Sequence, residues 1–158
     1  FDVDGVLTDG SVYVMENGEQ SRQFNIKDGY AIQLAIKCGY NVCAISGSRS
    51  KIAIHRLNSL GVKDVYIGAH TKSENFRLYL ESKHVLPASV LFMGDDIPDL
   101  DVMKMAGLAV CPADAAEEIK AISAYVSPNP GGRGAVRDVI EKVLKVQGKW
   151  MSEEAYSW

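Results

Sequence analysis

The chain has 158 residues, 47% of them hydrophobic and 23% charged, with a net charge of −3, which suits one domain spanning residues 1–158 around one core. The slight acidity excludes the basic stripe of a nucleic-acid binder, and no apolar run approaches the ~20 residues that a membrane-spanning helix needs. Three cysteines, Cys38, Cys43 and Cys111, include no CxxC pair, which argues against a disulfide framework or structural zinc and fits free thiols in a reducing cytoplasm. The first residue is Phe1 rather than Met, so upstream residues are expected, and a removed targeting segment stays open.

In chain order, the acidic cluster Asp2-Val3-Asp4-Gly5-Val6-Leu7-Thr8-Asp9 comes first, placed as the end of a first strand. Residues 11–24 hold Val12 and Val14 and then Glu16-Asn17-Gly18-Glu19. Asn-Gly between strand-like flanks predicts a projecting β-hairpin. Five later runs, 41–46, 64–68, 90–94, 108–111 and 124–126, are short and apolar, as strands buried on both faces should be. Helices are expected between them, one marked by Ala53, Leu57 and Leu60 and another by Phe76 and Leu80. The last is the clearest, because Val136, Val139, Ile140, Val143 and Leu144 recur with helical spacing. Ser127-Pro128-Asn129-Pro130-Gly131-Gly132 must be a loop. The tail, about 148–158, carries Trp150 and Trp158 and has no evident period.

Alternating strands and helices predict an α/β fold, a Rossmann-like doubly wound parallel sheet with a projecting hairpin. In such sheets ligands bind beyond the carboxyl ends of the strands. The polar clusters fall there: Asp2 to Asp9 after the first run, Ser46-Gly47 after the next, Gly94-Asp95-Asp96 after the run 90–94.

Asp2 and Asp4, two residues apart, point the same way if the strand continues through them. Like charges so placed are costly unless a cation lies between them. Asp95, Asp96 and Asp99 form a second acidic cluster, and one carboxylate from each could hold a hard cation such as magnesium. Taken singly, these aspartates could be turn formers and helix caps; two such clusters at two strand ends favour metal. Ser46-Gly47-Ser48-Arg49-Ser50 suits a phosphate at a helix start, or ordinary capping. Lys72, at the opening of a helix, could neutralise phosphate and carboxylate together, or be a solvated surface lysine. His55, His70 and His84 share no ligand spacing, and only His70 lies near the predicted site.

The order of these motifs resembles the haloacid dehalogenase superfamily across nearly the whole chain: DxDGVLTD, a strand ending in Ser-Gly, a Lys, then GDDxxD. The resemblance implies Asp2 as the nucleophile that forms an aspartyl-phosphate and Asp4 as general acid and then base. It implies Ser46 and Gly47 at the phosphoryl group, Lys72 as the motif lysine, and Mg2+ held by the Asp2 and Asp95 side chains with the Asp4 carbonyl. Asp96 and Asp99 would support that site. The intervals between motifs leave no room for a large cap domain. DGVLTDG, Phe24-Asn25-Ile26-Lys27-Asp28-Gly29-Tyr30 and Gly131-Gly132-Arg133-Gly134 resemble the capless sugar-acid phosphatases that act on 3-deoxy-D-manno-octulosonate 8-phosphate in lipopolysaccharide precursor synthesis. Those enzymes are cytoplasmic homotetramers whose hairpins and C-terminal tails meet neighbouring sites. Arg49 and Arg133 are the candidates for the substrate carboxylate. One departure is that the usual Thr-Gly-Arg reads Ser46-Gly47-Ser48-Arg49, which leaves open a nine-carbon (sialic or deaminated sialic) acid phosphate. A non-catalytic tetramerisation module is the remaining alternative.

Overall fold

The computed structural model describes residues 1–157, so Trp158 of the tail lies outside it. The hairpin forms where Asn17-Gly18 predicts it: β1 (Tyr13–Val14) and β2 (Gln20–Ser21) pair antiparallel, with Tyr13 opposite Ser21. Asn17 Oδ1 accepts from the Glu19 N–H at 3.0 Å and closes the turn. Its apolar residues Val12, Tyr13, Val14 and Met15 are exposed.

α1 (Ile26–Lys37) starts where Asn25 Oδ1 accepts from the Lys27 and Asp28 N–H groups, a side-chain N-cap. Strands and helices then alternate: β3 (Cys43–Ile45), α2 (Ile52–Ser59), β4 (Asp64–Tyr66), α3 (Lys72–Lys83), β5 (Leu91–Met93), α4 (Leu100–Met105), β6 (Leu108–Cys111), α5 (Glu117–Ile122), β7 (Tyr125–Val126) and α6 (Ala135–Val146). Most predicted runs overshoot the strands at their ends. The run 64–68, for example, stops at Tyr66, and Gly68 turns the chain away at φ +66.

β3 pairs parallel with β4, β5 with β6, and β6 with β7. Phe1 and Asp2 lie between the two groups. The Ile45 N–H donates to the Phe1 carbonyl and the Asp2 N–H to the Met93 carbonyl, each at 3.0 Å. The hydrogen-bonded order is therefore β4, β3, residues 1–2, β5, β6, β7. Residues 1–2, the end of the predicted first strand, occupy the middle of the sheet.

Side chains alternate between the two faces, as the strand period of two requires. Ala44, Met93 and Val110 join the core with α1, α2 and α6, while Ile45, Phe92, Ala109 and Cys111 join the core with α3, α4 and α5. This is the doubly wound arrangement that the alternation predicts. Among the described residues no inserted domain covers the carboxyl ends of the strands. The tail folds back on its own chain: Tyr30 Oη donates to the Ala155 carbonyl, and the Arg137 guanidinium lies 5.3 Å from the Tyr30 ring centroid and 5.0 Å from that of Trp150.

Candidate active site

The loop after residues 1–2 begins with Asp2, which is 7% exposed. Lys72, the first residue of α3, reaches it: Lys72 Nζ is 2.8 Å from Asp2 Oδ1 and 2.7 Å from Asp99 Oδ1. Asp99 Oδ2 accepts from the Asp95 N–H at 3.1 Å. Asp99 therefore commits both oxygens to fixing Lys72 and the Asp95 backbone. Asp95 follows β5 at the sheet's carboxyl end, and its Oδ1 is buried with no hydrogen-bond partner. The close approach of the two loops depends on Gly5, at φ +90, where a Cβ would overlap the Asp95 carboxylate.

Carboxylate oxygens of Asp2, Asp95 and Asp99 lie within 4.8 Å of one another. Burial, with the charges of Asp2 and Asp99, pushes the Asp95 carboxyl up to about 8. Burial and then Asp99 push Asp2 up to about 6, against the pull of Lys72. Burial acts to lower Lys72, but Asp2 and Asp99 outweigh it and hold the ammonium above its usual range. More anionic charge is gathered here than one lysine neutralises. An orphaned buried oxygen beside a second carboxylate is the donor chemistry of a hard divalent cation. Asp2 and Asp95 fit as side-chain ligands, whereas Asp99 is already committed.

Ser46 is buried at the end of β3, beside Asp2 on the neighbouring strand. Its Oγ accepts from the Ser48 N–H at 3.1 Å and keeps its own proton to donate. The loops after β3 and β4 are tied together by Gly68 N–H to Ser48 O at 2.7 Å and Ala69 N–H to Ser46 O at 3.0 Å. On the other side, the loop holding Gly131 presses on the first motif, where a Cβ at Gly131 would overlap the Gly5 carbonyl oxygen.

The family model described as haloacid dehalogenase-like hydrolase matches residues 58–140, more than half of the chain. The 3-deoxy-D-manno-octulosonate 8-phosphate phosphatase KdsC of Escherichia coli is 40% identical over 148 residues, 94% of this chain and 79% of that protein. This chain belongs to the haloacid dehalogenase-like hydrolases. Solved structures agree. The Yersinia pestis 3-deoxy-D-manno-octulosonate 8-phosphate phosphatase superposes with a TM-score of 0.92 at 38% identity, covering 94% of this chain and 80% of that one. The Moraxella catarrhalis enzyme, in complex with magnesium ion, phosphate ion and a KDO molecule, gives 0.92 at 30% identity, covering 94% and 86%. A Legionella pneumophila hydrolase of subfamily III A gives 0.94 at 29% identity, covering 98% and 84%.

In this haloacid dehalogenase-like hydrolase the structure gathers Asp2, Ser46, Gly47, Lys72, Asp95 and Asp99 at one end of the sheet. Asp96 is exposed, and its Oδ1 accepts from the Ile97 N–H at 2.8 Å, a local cap. Arg49 Nη2 lies 3.3 Å from His70 Nε2, and no carboxylate pairs with Arg49 among the described residues. Arg133 is instead engaged by Asp9, 3.1 Å away. Asp28 serves the fold, since its Oδ1 accepts from the Arg137 N–H at 2.7 Å and its Oδ2 from the Gly134 N–H at 3.2 Å. It thereby caps α6 from α1.

Sequence reasoning missed Arg22. Its side chain is 5% exposed, and its Nε lies 2.6 Å from Asp4 Oδ1. A single Arg in a polar stretch gives no periodic signal. The one available hint was its position inside residues 11–24, the stretch predicted to form the projecting hairpin.

Proposed function

We propose that this chain removes phosphate from 3-deoxy-D-manno-octulosonate 8-phosphate with magnesium, in the cytoplasmic synthesis of lipopolysaccharide precursor. The observation that carries the chemistry is the buried Asp2 beside Lys72, with the free oxygen of Asp95 across from it. Relatives named for that substrate, at 40% identity over most of the chain, support the substrate.

An Asp2 carboxylate oxygen attacks phosphorus, and the bond from phosphorus to the sugar oxygen breaks as Asp4 gives that oxygen a proton. Water then attacks the aspartyl-phosphate, Asp4 takes its proton, and phosphate leaves with Asp2 restored. Lys72 offsets the repulsion between the Asp2 carboxylate and a dianionic phosphate. The Ser46 hydroxyl and the Gly47 N–H hold phosphoryl oxygens. The Asp2 and Asp95 side chains with the Asp4 carbonyl would hold magnesium, with Asp99 fixing the Asp95 backbone beside them. Magnesium, when bound, supplies positive charge against the carboxylates and the spreading charge of the phosphoryl group. The substrate's own carboxylate needs a cation, and Arg49 beside His70 is better placed than Arg133, whose charge Asp9 already meets.

The site is completed between subunits of a homotetramer. Exposed Val12, Tyr13, Val14 and Met15 on the hairpin are the surface that a neighbour would cover. Light scattering should give the mass of four chains. A fully active monomer would end this reading.

The deciding experiment is phosphate release from eight- and nine-carbon 2-keto-3-deoxy sugar acid phosphates, with magnesium and with chelator. The eight-carbon substrate is expected to show the highest kcat/KM, and activity should vanish without metal. Ser48, standing where the group usually has Arg, leaves the nine-carbon alternative open; a preference for that substrate would replace the substrate and leave the mechanism. Failure to hydrolyse even an aryl phosphate would leave only an assembly role.

A further inference from the structure

Arg22 follows β2 directly, on the return strand of the hairpin, yet its side chain is buried. A buried guanidinium is tolerated only when its donors find acceptors. Arg22 directs most of them one way. Nε donates to Asp4 Oδ1 at 2.6 Å, and Nη2 reaches Asp4 Oδ2 at 3.5 Å and Ser48 Oγ at 3.2 Å. Nη1 faces Gln20 Oε1 at 3.4 Å. Among the described residues, Arg22 is the only partner of the Asp4 carboxylate.

Asp4 leaves the sheet two residues after Asp2, in a loop that offers its carboxylate no backbone N–H. Without Arg22 the side chain would be free to rotate. Ser48 belongs to the other loop of the site, and its N–H donates to Ser46 Oγ at 3.1 Å. One guanidinium thus ties the side chain of the first motif to the loop that carries Ser46. A planar fork fixes the direction of a carboxylate, which a lysine ammonium, as a point charge, does not.

We propose that Arg22 is the positioning residue for Asp4: the hairpin delivers its guanidinium into the site, where it aims the Asp4 carboxyl group at the oxygen that leaves. This rests on the reading of Asp4 as proton donor given above. The step is unchanged in its balance. The bond from phosphorus to the leaving oxygen breaks, the Asp2 oxygen bonds to phosphorus, and the Asp4 proton moves to the leaving oxygen. Arg22 exchanges no proton and touches no reacting atom; it sets where the donor sits.

The test uses the full-length chain with magnesium and compares an alkyl phosphate, 3-deoxy-D-manno-octulosonate 8-phosphate, with an aryl phosphate, p-nitrophenyl phosphate. Phenolate leaves with little help from a proton, whereas an alkoxide does not. Arg22→Gln should therefore lower kcat on the alkyl substrate by about tenfold or more and on the aryl substrate by less than about threefold, with KM little moved. Arg22→Lys, which keeps charge but not the fork, should recover part of the alkyl loss. In an Asp4→Asn background, Arg22→Gln should leave the alkyl-to-aryl ratio unchanged, because nothing remains to be aimed. Equal losses on both substrates, or losses that simply multiply with Asp4→Asn, would overturn the proposal. So would a normal alkyl-to-aryl ratio in an Arg22→Lys protein that shows no loss at all. Asp4→Asn alone separates the two layers: if it fails to split the substrates, the donor role of Asp4 falls; if it splits them and Arg22→Gln does not, only the role of Arg22 falls. Thermal melts of each variant identify any that fail to fold, and Arg22→Lys then carries the comparison.

Discussion

Asp28→Ala measures what the junction of α1 and α6 contributes. Asp28 is 1% exposed and accepts two N–H groups from the first turn of α6, those of Gly134 and Arg137. Deleting the carboxylate strands two half-buried donors, each worth about 1–3 kcal/mol. Part of that is offset already, because burial pushes the Asp28 carboxyl upward and its charge is held at a cost. A net loss of about 2–3 kcal/mol follows, which for a chain of this size lowers Tm by roughly 5–10 °C. Asp28→Asn keeps one acceptor and should lose about half as much. The assay is a thermal melt by circular dichroism, run beside steady-state kinetics on the sugar acid phosphate. KM should stay within about twofold, because Asp28 faces a helix end rather than the site. A Tm within about 2 °C of the parent, or a raised KM at unchanged Tm, would refute the capping role.

Asp2→Asn should abolish turnover while folding normally, and its metal-free Tm should equal or exceed that of the parent, since one of the crowded carboxylates is gone; residual turnover in a clean preparation would sink the nucleophile assignment. Metal-free protein should lose stability as pH rises. Asp2 at about 6 and Asp95 at about 8 both lie above their unfolded value of 3.8, so between pH 4 and 8 the native state binds more protons than the unfolded one. Melts from pH 4 to 8 should show Tm falling with chelator and holding with magnesium; a metal-free Tm that rises over that range would contradict the sign. Gly131→Ala should cut kcat by about tenfold or more, since its Cβ would displace the Gly5 carbonyl and the loop bearing Asp4; unchanged kcat and Tm would show that the contact yields freely.

The parts legible in the sequence were those with local signatures. Val136, Val139, Ile140 and Leu144 mark α6 by spacing alone, and all four are buried. Asn17-Gly18 places the hairpin turn. Asp2, Asp95 and Lys72, each ambiguous alone, stand out through their joint order along the chain and the acidic clusters at strand ends. The illegible parts depend on contacts distant in sequence. Asp28 meets Arg137 across 109 positions, so nothing local in the sequence shows that Asp28 caps α6 or that Tyr30 anchors the tail. Asp99, read as a support, also aligns Lys72, which its spacing in GDDxxD does not reveal. Arg22 gave no signal because burial of a lone charge is decided by where the hairpin lands. The C-terminal tail, which shows no period in the sequence, lies on its own α1, held by Tyr30 and by Lys37, whose Nζ donates to the Ser157 carbonyl at 2.7 Å.

The place of Phe1 and Asp2 in the middle of the sheet orders events in time. These two residues are synthesised before any of their neighbours, yet their backbone partners are Ile45 and Met93. A nascent chain can pair β3 with β4 early, but the strand end that presents Asp2 is not enclosed until β5 has emerged, and Asp99, which holds Lys72 against Asp2, follows later still. At about 5–20 residues per second, the growing chain carries an unpaired strand end and an unneutralised carboxylate for seconds. Assembly of the site is thus among the last folding events, because its first residue waits for its most distant neighbours.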